Sequence, residues 1–140
     1  MMKYLTQVLA LTRLLLLKRQ WREVLKQLNL LDDNAKRLLA ALVYGETQRA
    51  AKHPLPQFYG SDKVDLYRPW GDAVEHAFAR LHSDNPQLRL RGIATWLTVV
   101  FHETQQAGQP GLKTLHGEVA RYVEQYRTLH ERVLAIRAAA

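Results

Sequence analysis

Apolar positions recur at spacings of three and four along most of this chain, the interval at which side chains return to one side of an α-helix. The clearest run is Leu112, Leu115, Val119, Tyr122, Tyr126, Leu129, Val133 and Ile136, a heptad seam sustained for about three and a half repeats. It predicts a long helix over 111–138, packed lengthwise on a neighbour. Leu90, Ile93, Leu97, Val100 and Thr104 keep the same spacing, with Ala94 and Phe101 widening the stripe, and predict a helix over 86–107. The short turn from Gly108 to Gly111 should fold these two into an antiparallel hairpin.

The punctuation between apolar runs is helical too. Asp32 or Asp33 can cap one helix, and Asp84 or Asn85 can cap another whose first position is Pro86, where a missing N–H costs nothing. Gly108 offers a C-terminal stop and Pro110 the next start. These marks give five helices, over 3–30, 33–52, 70–83, 86–107 and 111–138, and no run alternates as a strand would. The exception is 53–69, "HPLPQFYGSDKVDLYRP", whose prolines and Gly60 forbid regular structure. Phe58, Tyr59, Tyr67, Leu55 and Leu66 make it too apolar for a solvated tether. It should lie across the bundle as a loop.

The first helix follows a different pattern. At ~100° per residue, Leu5, Val8, Leu9, Leu11, Leu15 and Leu16 gather on one side, whereas Leu17, Trp21, Val24, Leu25 and Leu28 gather on nearly the opposite one. The apolar face changes sides at the tetraleucine, Leu14, Leu15, Leu16 and Leu17. Such a helix must break there, be wrapped all round, or bury one half within the subunit and offer the other to a second chain.

Size and composition bound this picture. At 140 residues the chain suits a single domain. Its 47% hydrophobic content, with 3 Trp, 6 Tyr and 3 Phe, supports a packed core. The fold class expected is all-α, one bundle of about five helices spanning 1–140 with a long C-terminal hairpin. With no cysteine, disulfides, thiolate nucleophiles and Cys-based metal sites are excluded. The opening run pairs Lys3 with leucines, but Thr6, Gln7, Thr12 and Arg13 interrupt it and Lys18, Arg19 and Trp21 follow it. That reads as neither a signal peptide nor a span of ~20 apolar residues, so no integral membrane insertion and a cytoplasmic location are expected.

The formal net charge is +7, and residues 1–31 carry six bases (Lys3, Arg13, Lys18, Arg19, Arg22, Lys26) against Glu23, a net +5. Lys18, Arg19, Arg22 and Lys26 project from one side of the first helix, with Arg13 just before them. Such a ridge can neutralise phosphates or rest on an anionic lipid surface, although no known nucleic-acid-binding module is recognisable and a basic face can simply be solvated.

Candidate chemistry comes up empty. His102 and Glu103 in "FHETQQ" begin as a zinc-protease helix does, but Gln106 stands where the second ligand belongs; His130 and Glu131 fail likewise at Leu134. No Glu lies three residues before a His, which a bundle di-iron site requires. His116 and His130 share a helical edge but lie ~21 Å apart. There is no phosphate-cradling glycine loop, and Ser61 and Ser83 lack a nucleophile's setting. Carboxylates such as Glu75 and Glu118 read as solvated surface charges.

The function expected is therefore a non-catalytic adaptor or regulator working through protein contacts, with no catalytic residue, no metal and no cofactor. Its contacts are expected at Leu14, Leu15 and Leu16, which could pair with a second copy in a homo-oligomer, and at Tyr59, Tyr67, Arg68 and Trp70, residue types enriched where binding energy concentrates. The alternative is a nucleic-acid accessory protein using Arg13, Lys18, Arg19, Arg22 and Lys26.

Overall fold

The computed structural model describes residues 2–52, 68–105 and 107–139, with side chains over 11–49, 73–105 and 107–139. Five helices follow in order: α1 (Met2–Asn29), α2 (Asp33–Lys52), α3 (Arg68–Arg80), α4 (Pro86–Thr104) and α5 (Pro110–Ala139). No strand occurs among the described residues, and the architecture is an all-α bundle. None of these helices is long and apolar enough to cross a membrane.

Local chemistry sets the helix ends. The Asp32 carboxylate accepts from the Ala35 N–H at 2.8 Å, and the Asn85 side chain accepts from the Gln87 N–H at 2.9 Å ahead of Pro86. The side chain of Gln109 does the same for the Leu112 N–H at 2.7 Å, a cap with no obvious sequence signature. At the end of α3, Leu81, His82 and Ser83 bond back to carbonyls three residues earlier, the tighter winding common at helix ends. α4 stops at Thr104, short of the glycine stop expected at Gly108, and its exit also uses three-residue bonds, Gln105 to His102 and Ala107 to Thr104.

The helices surround α4. Its predicted stripe, Leu90, Ile93, Ala94, Leu97, Val100 and Thr104, is buried throughout, as are Trp96 and Val99 on its other sides. α4 packs against α2, α3 and α5, so the sequence-predicted α4–α5 hairpin forms one side of an assembly in which α4 is the shared element. Against α3 the approach is close because the touching residues are small: a Cβ on Gly92 would lie 2.6 Å from the Ala77 carbonyl oxygen and 2.8 Å from Arg80 Cβ. The α5 seam is buried at Leu115, Val119 and Tyr126, with Val123 joining it, but by Ile136 the helix has run past its neighbours and that side chain is exposed.

α1 is one continuous helix. It runs antiparallel to α4, with Arg13 meeting Glu103 and Gln20 meeting Trp96, and parallel to α5, with Leu14 at Gly111 and Trp21 at Glu118. The break that its shifting apolar face allows does not occur.

Gly92→Ala should lower stability by about 1–3 kcal/mol in urea unfolding. Helix propensity favours alanine by ~1 kcal/mol, but a backbone carbonyl cannot swing aside as a side chain can. Gly117→Ala, with no atom within 4 Å of the added methyl, should be neutral or stabilising.

Candidate docking face

Two indoles determine how α1 is turned. Trp21 of α1 and Trp96 of α4 stack with ring centroids 5.6 Å apart and planes 6° from parallel, and Tyr122 of α5 meets Trp21 edge-on at 5.5 Å. A buried indole N–H needs an acceptor, because leaving it unpaired costs ~1–3 kcal/mol. Trp96 Nε1 donates to Gln20 Oε1 at 2.9 Å, and Trp21 Nε1 donates to Glu118 Oε2 at 2.8 Å. Gln20 in turn donates to Glu75 Oε1 at 3.0 Å. Glu75 and Glu118, solvated charges in the sequence reading, are thus acceptors that lock α1 to α3 and α5.

With Gln20 and Trp21 held inward, the rest of α1 follows at ~100° per residue. Leu17, Val24 and Leu28 join the core, and Leu14 is buried as well, against Gly111, where a methyl would lie 2.5 Å from its Cδ2. Arg13 also turns in. Its Nε and Nη2 reach the two oxygens of Glu103 at 2.7 and 2.9 Å, a two-pronged ion pair in which the carboxylate is almost fully buried.

What remains outside is the other flank. Leu11 is 51% exposed, Leu15 69% and Leu16 38%. The tetraleucine is therefore split, its outer members (Leu14 and Leu17) inside and its middle ones outside. Lys18, Arg19, Arg22 and Lys26 are exposed one to three turns further along. Lys26 approaches Glu23 at 3.4 Å, while Lys18, Arg19 and Arg22 make no ion pair among the described residues.

Of the residues expected to meet a partner, Leu15 and Leu16 stand on this face. Leu14 belongs to the core, because the indole contacts rotate it inward. Of the five expected nucleic-acid contacts, four share the face and Arg13 is held by Glu103. Tyr59, Tyr67 and the side chains of Arg68 and Trp70 lie outside the described residues, although Arg68 and Trp70 themselves open α3. As a sequence, Glu75 and Glu118 read as solvated charges, Glu103 as half of an incomplete zinc motif, and Gln20 carries no signal of its own; what points to Gln20 and Glu118 is that two buried tryptophans must find acceptors.

Other features show no convergent chemistry. No group of three or more His, Asp or Glu side chains is placed to hold a metal among the described residues. His116 stacks on Phe101 at 4.9 Å, with its Nδ1 3.0 Å from the Thr104 hydroxyl, and His130 tilts against Tyr44 at 4.9 Å. An open trough of ≈ 820 Å³ runs between α2, α4 and α5 past Phe101, His102 and Arg132. The Arg127 guanidinium beside it lies between two carboxylates, Glu124 at 3.4 Å and Glu131 at 3.8 Å. Compared with protein-family models, with curated proteins and with solved structures, the chain matches none.

Arg13→Gln should destabilise the fold by about 2–4 kcal/mol in chemical denaturation by stranding the Glu103 carboxylate, whereas Arg22→Gln should fall within ~0.5 kcal/mol of wild type. A second expectation concerns pH. Burial holds His102 below its ordinary pKa of 6.5, so the folded state binds its proton less readily than the unfolded chain. Stability should fall as pH drops below 6.5 and level off once folded His102 also protonates. His102→Gln should remove that part of the slope in thermal melts taken across the range.

Proposed function

We propose that this chain is a non-catalytic adaptor or regulator that works by docking another protein on the outward flank of α1. The observation that supports it is the split tetraleucine: on a helix whose inner face is engaged from Arg13 to Leu28, Leu11, Leu15 and Leu16 present an apolar flank to water. Covering a half-exposed leucine is worth on the order of 1 kcal/mol, so three of them contribute a few kcal/mol to a contact. Leu30, Leu38, Leu88, Leu134 and Ile136 are exposed as well, but they are spread over the α1–α2 turn and three other helices, and scattered surface leucines are ordinary.

A second copy of the chain is one candidate partner. A nucleic acid is the second reading, supported by the exposure of Lys18, Arg19, Arg22 and Lys26 together on one face and predicting binding that weakens steeply with salt.

Leu15→Asp with Leu16→Asp should leave the fold intact, since both side chains point outward, and a matching circular dichroism spectrum and melt would establish that. Capture from nuclease-treated native lysate should then retain proteins on the wild-type chain that the double variant loses. Equal capture by both would remove the docking reading. If the partner is a second copy, light scattering should show a dimer that the same variant converts to monomer.

A further inference from the structure

The outward face of α1 has two halves in series. At ~100° per residue, Leu11, Leu15, Lys18, Arg19, Arg22 and Lys26 fall within an arc of about 100°. Along the axis, the leucines come first and the cations occupy the next ~12 Å. The cations are crowded: Lys18, Arg22 and Lys26 follow one another at intervals of four, with Arg19 three before Arg22. Like charges at such spacings each cost a helix ~0.2–0.5 kcal/mol. Within the described fold, the single contact at 3.4 Å between Lys26 and Glu23 is the relief these cations receive.

The charge order selects among occupants. A nucleic-acid backbone would satisfy the cations and leave Leu11 and Leu15 in water. A flat lipid surface favours cations flanking an apolar stripe, so that charge stays at the headgroups while apolar groups go deeper; here Lys18 and Arg22 share the angular position of Leu11 and Leu15 and would be driven to the same depth. A second copy brings an equally basic ridge from a chain of net charge +7. A helix that is apolar at one end and acidic at the other answers both halves at once.

We infer that the outward face of α1 seats an acidic amphipathic helix of a partner protein, its apolar half on Leu11 and Leu15 and its carboxylates on Lys18, Arg19, Arg22 and Lys26. This rests on the docking reading above and names the partner's chemistry. Electrostatic complementarity of this kind speeds encounter and fixes register, while the leucines slow release.

The test uses the full chain and two dye-labelled synthetic helices. One carries leucines on one half of a face and glutamates on the other half, made in both orders; its twin replaces glutamate with glutamine. By fluorescence anisotropy, the glutamate helix in one of the two orders should bind at least about tenfold tighter than its twin and weaken as salt rises. Binding should be lost in Arg19→Glu/Arg22→Glu/Lys26→Glu and in Leu15→Asp/Leu16→Asp, both checked for an unchanged melt. Equal binding by the twin, or no binding in either order, overturns the inference and leaves the docking reading to its own experiment. So does a wild-type dimer that the peptide fails to displace, which identifies a second copy as the occupant. Tighter binding to duplex DNA or to phosphatidylserine vesicles, unchanged by Leu15→Asp/Leu16→Asp, overturns it in favour of those surfaces. Peptide binding that survives loss of the leucines sinks the inference and the docking reading together.

Discussion

The need to pair two buried indole N–H groups organises this bundle. Trp96 lies near the centre of α4 with its side chain fully buried, where an unpaired N–H is costly. Gln20 satisfies it, and the adjacent Trp21 stacks on the same ring while donating to Glu118. Neighbouring residues on a helix point ~100° apart, so holding Gln20 and Trp21 inward together leaves α1 little rotational freedom. Which of the leucines between Leu11 and Leu28 meet water follows from that setting.

Around this point the bundle uses two kinds of contact. α3 lies against α4 through small residues, Gly92 over Ala77, where backbones approach closely and shape does the selecting. α1 instead sits on large rings and reaches across with long polar side chains: Arg13 to Glu103, Gln20 to Glu75, Trp21 to Glu118. Directional bonds of this sort fix register more sharply than leucine packing, because a shift of one residue leaves several buried groups unpaired at once. They also tie α1 to α3, α4 and α5 along one face, with Leu11, Leu15 and the cations from Lys18 to Lys26 exposed on the other.

That outward face carries the proposed function. Its leucines and cations form no part of the core, and their arrangement in series suits a partner whose chemistry also changes along its length. Several histidines and carboxylates, by contrast, make packing contacts or ion pairs within the fold, as with His116 on Phe101, Glu124 near Arg127 and Glu103 on Arg13.

Helix number, order and approximate ends were legible in the residues themselves, because caps such as Asp32 and Asn85 and the three-and-four spacing of α4 and α5 act over a turn or two of chain. The seam from Leu112 to Leu129 could be named for the same reason. The two-sided apolar pattern of α1 was visible as well, together with the demand that one flank meet something. The chain pattern did not show which flank is enclosed, that Leu14 and Arg13 turn inward, or that Glu118 and Glu75 serve as acceptors. Those outcomes rest on bonds between residues 97, 76, 90 and 55 positions apart. Local periodicity places a side chain on its own helix; only the neighbour that approaches, and the donor or charge it brings, decides whether that side becomes interior or surface.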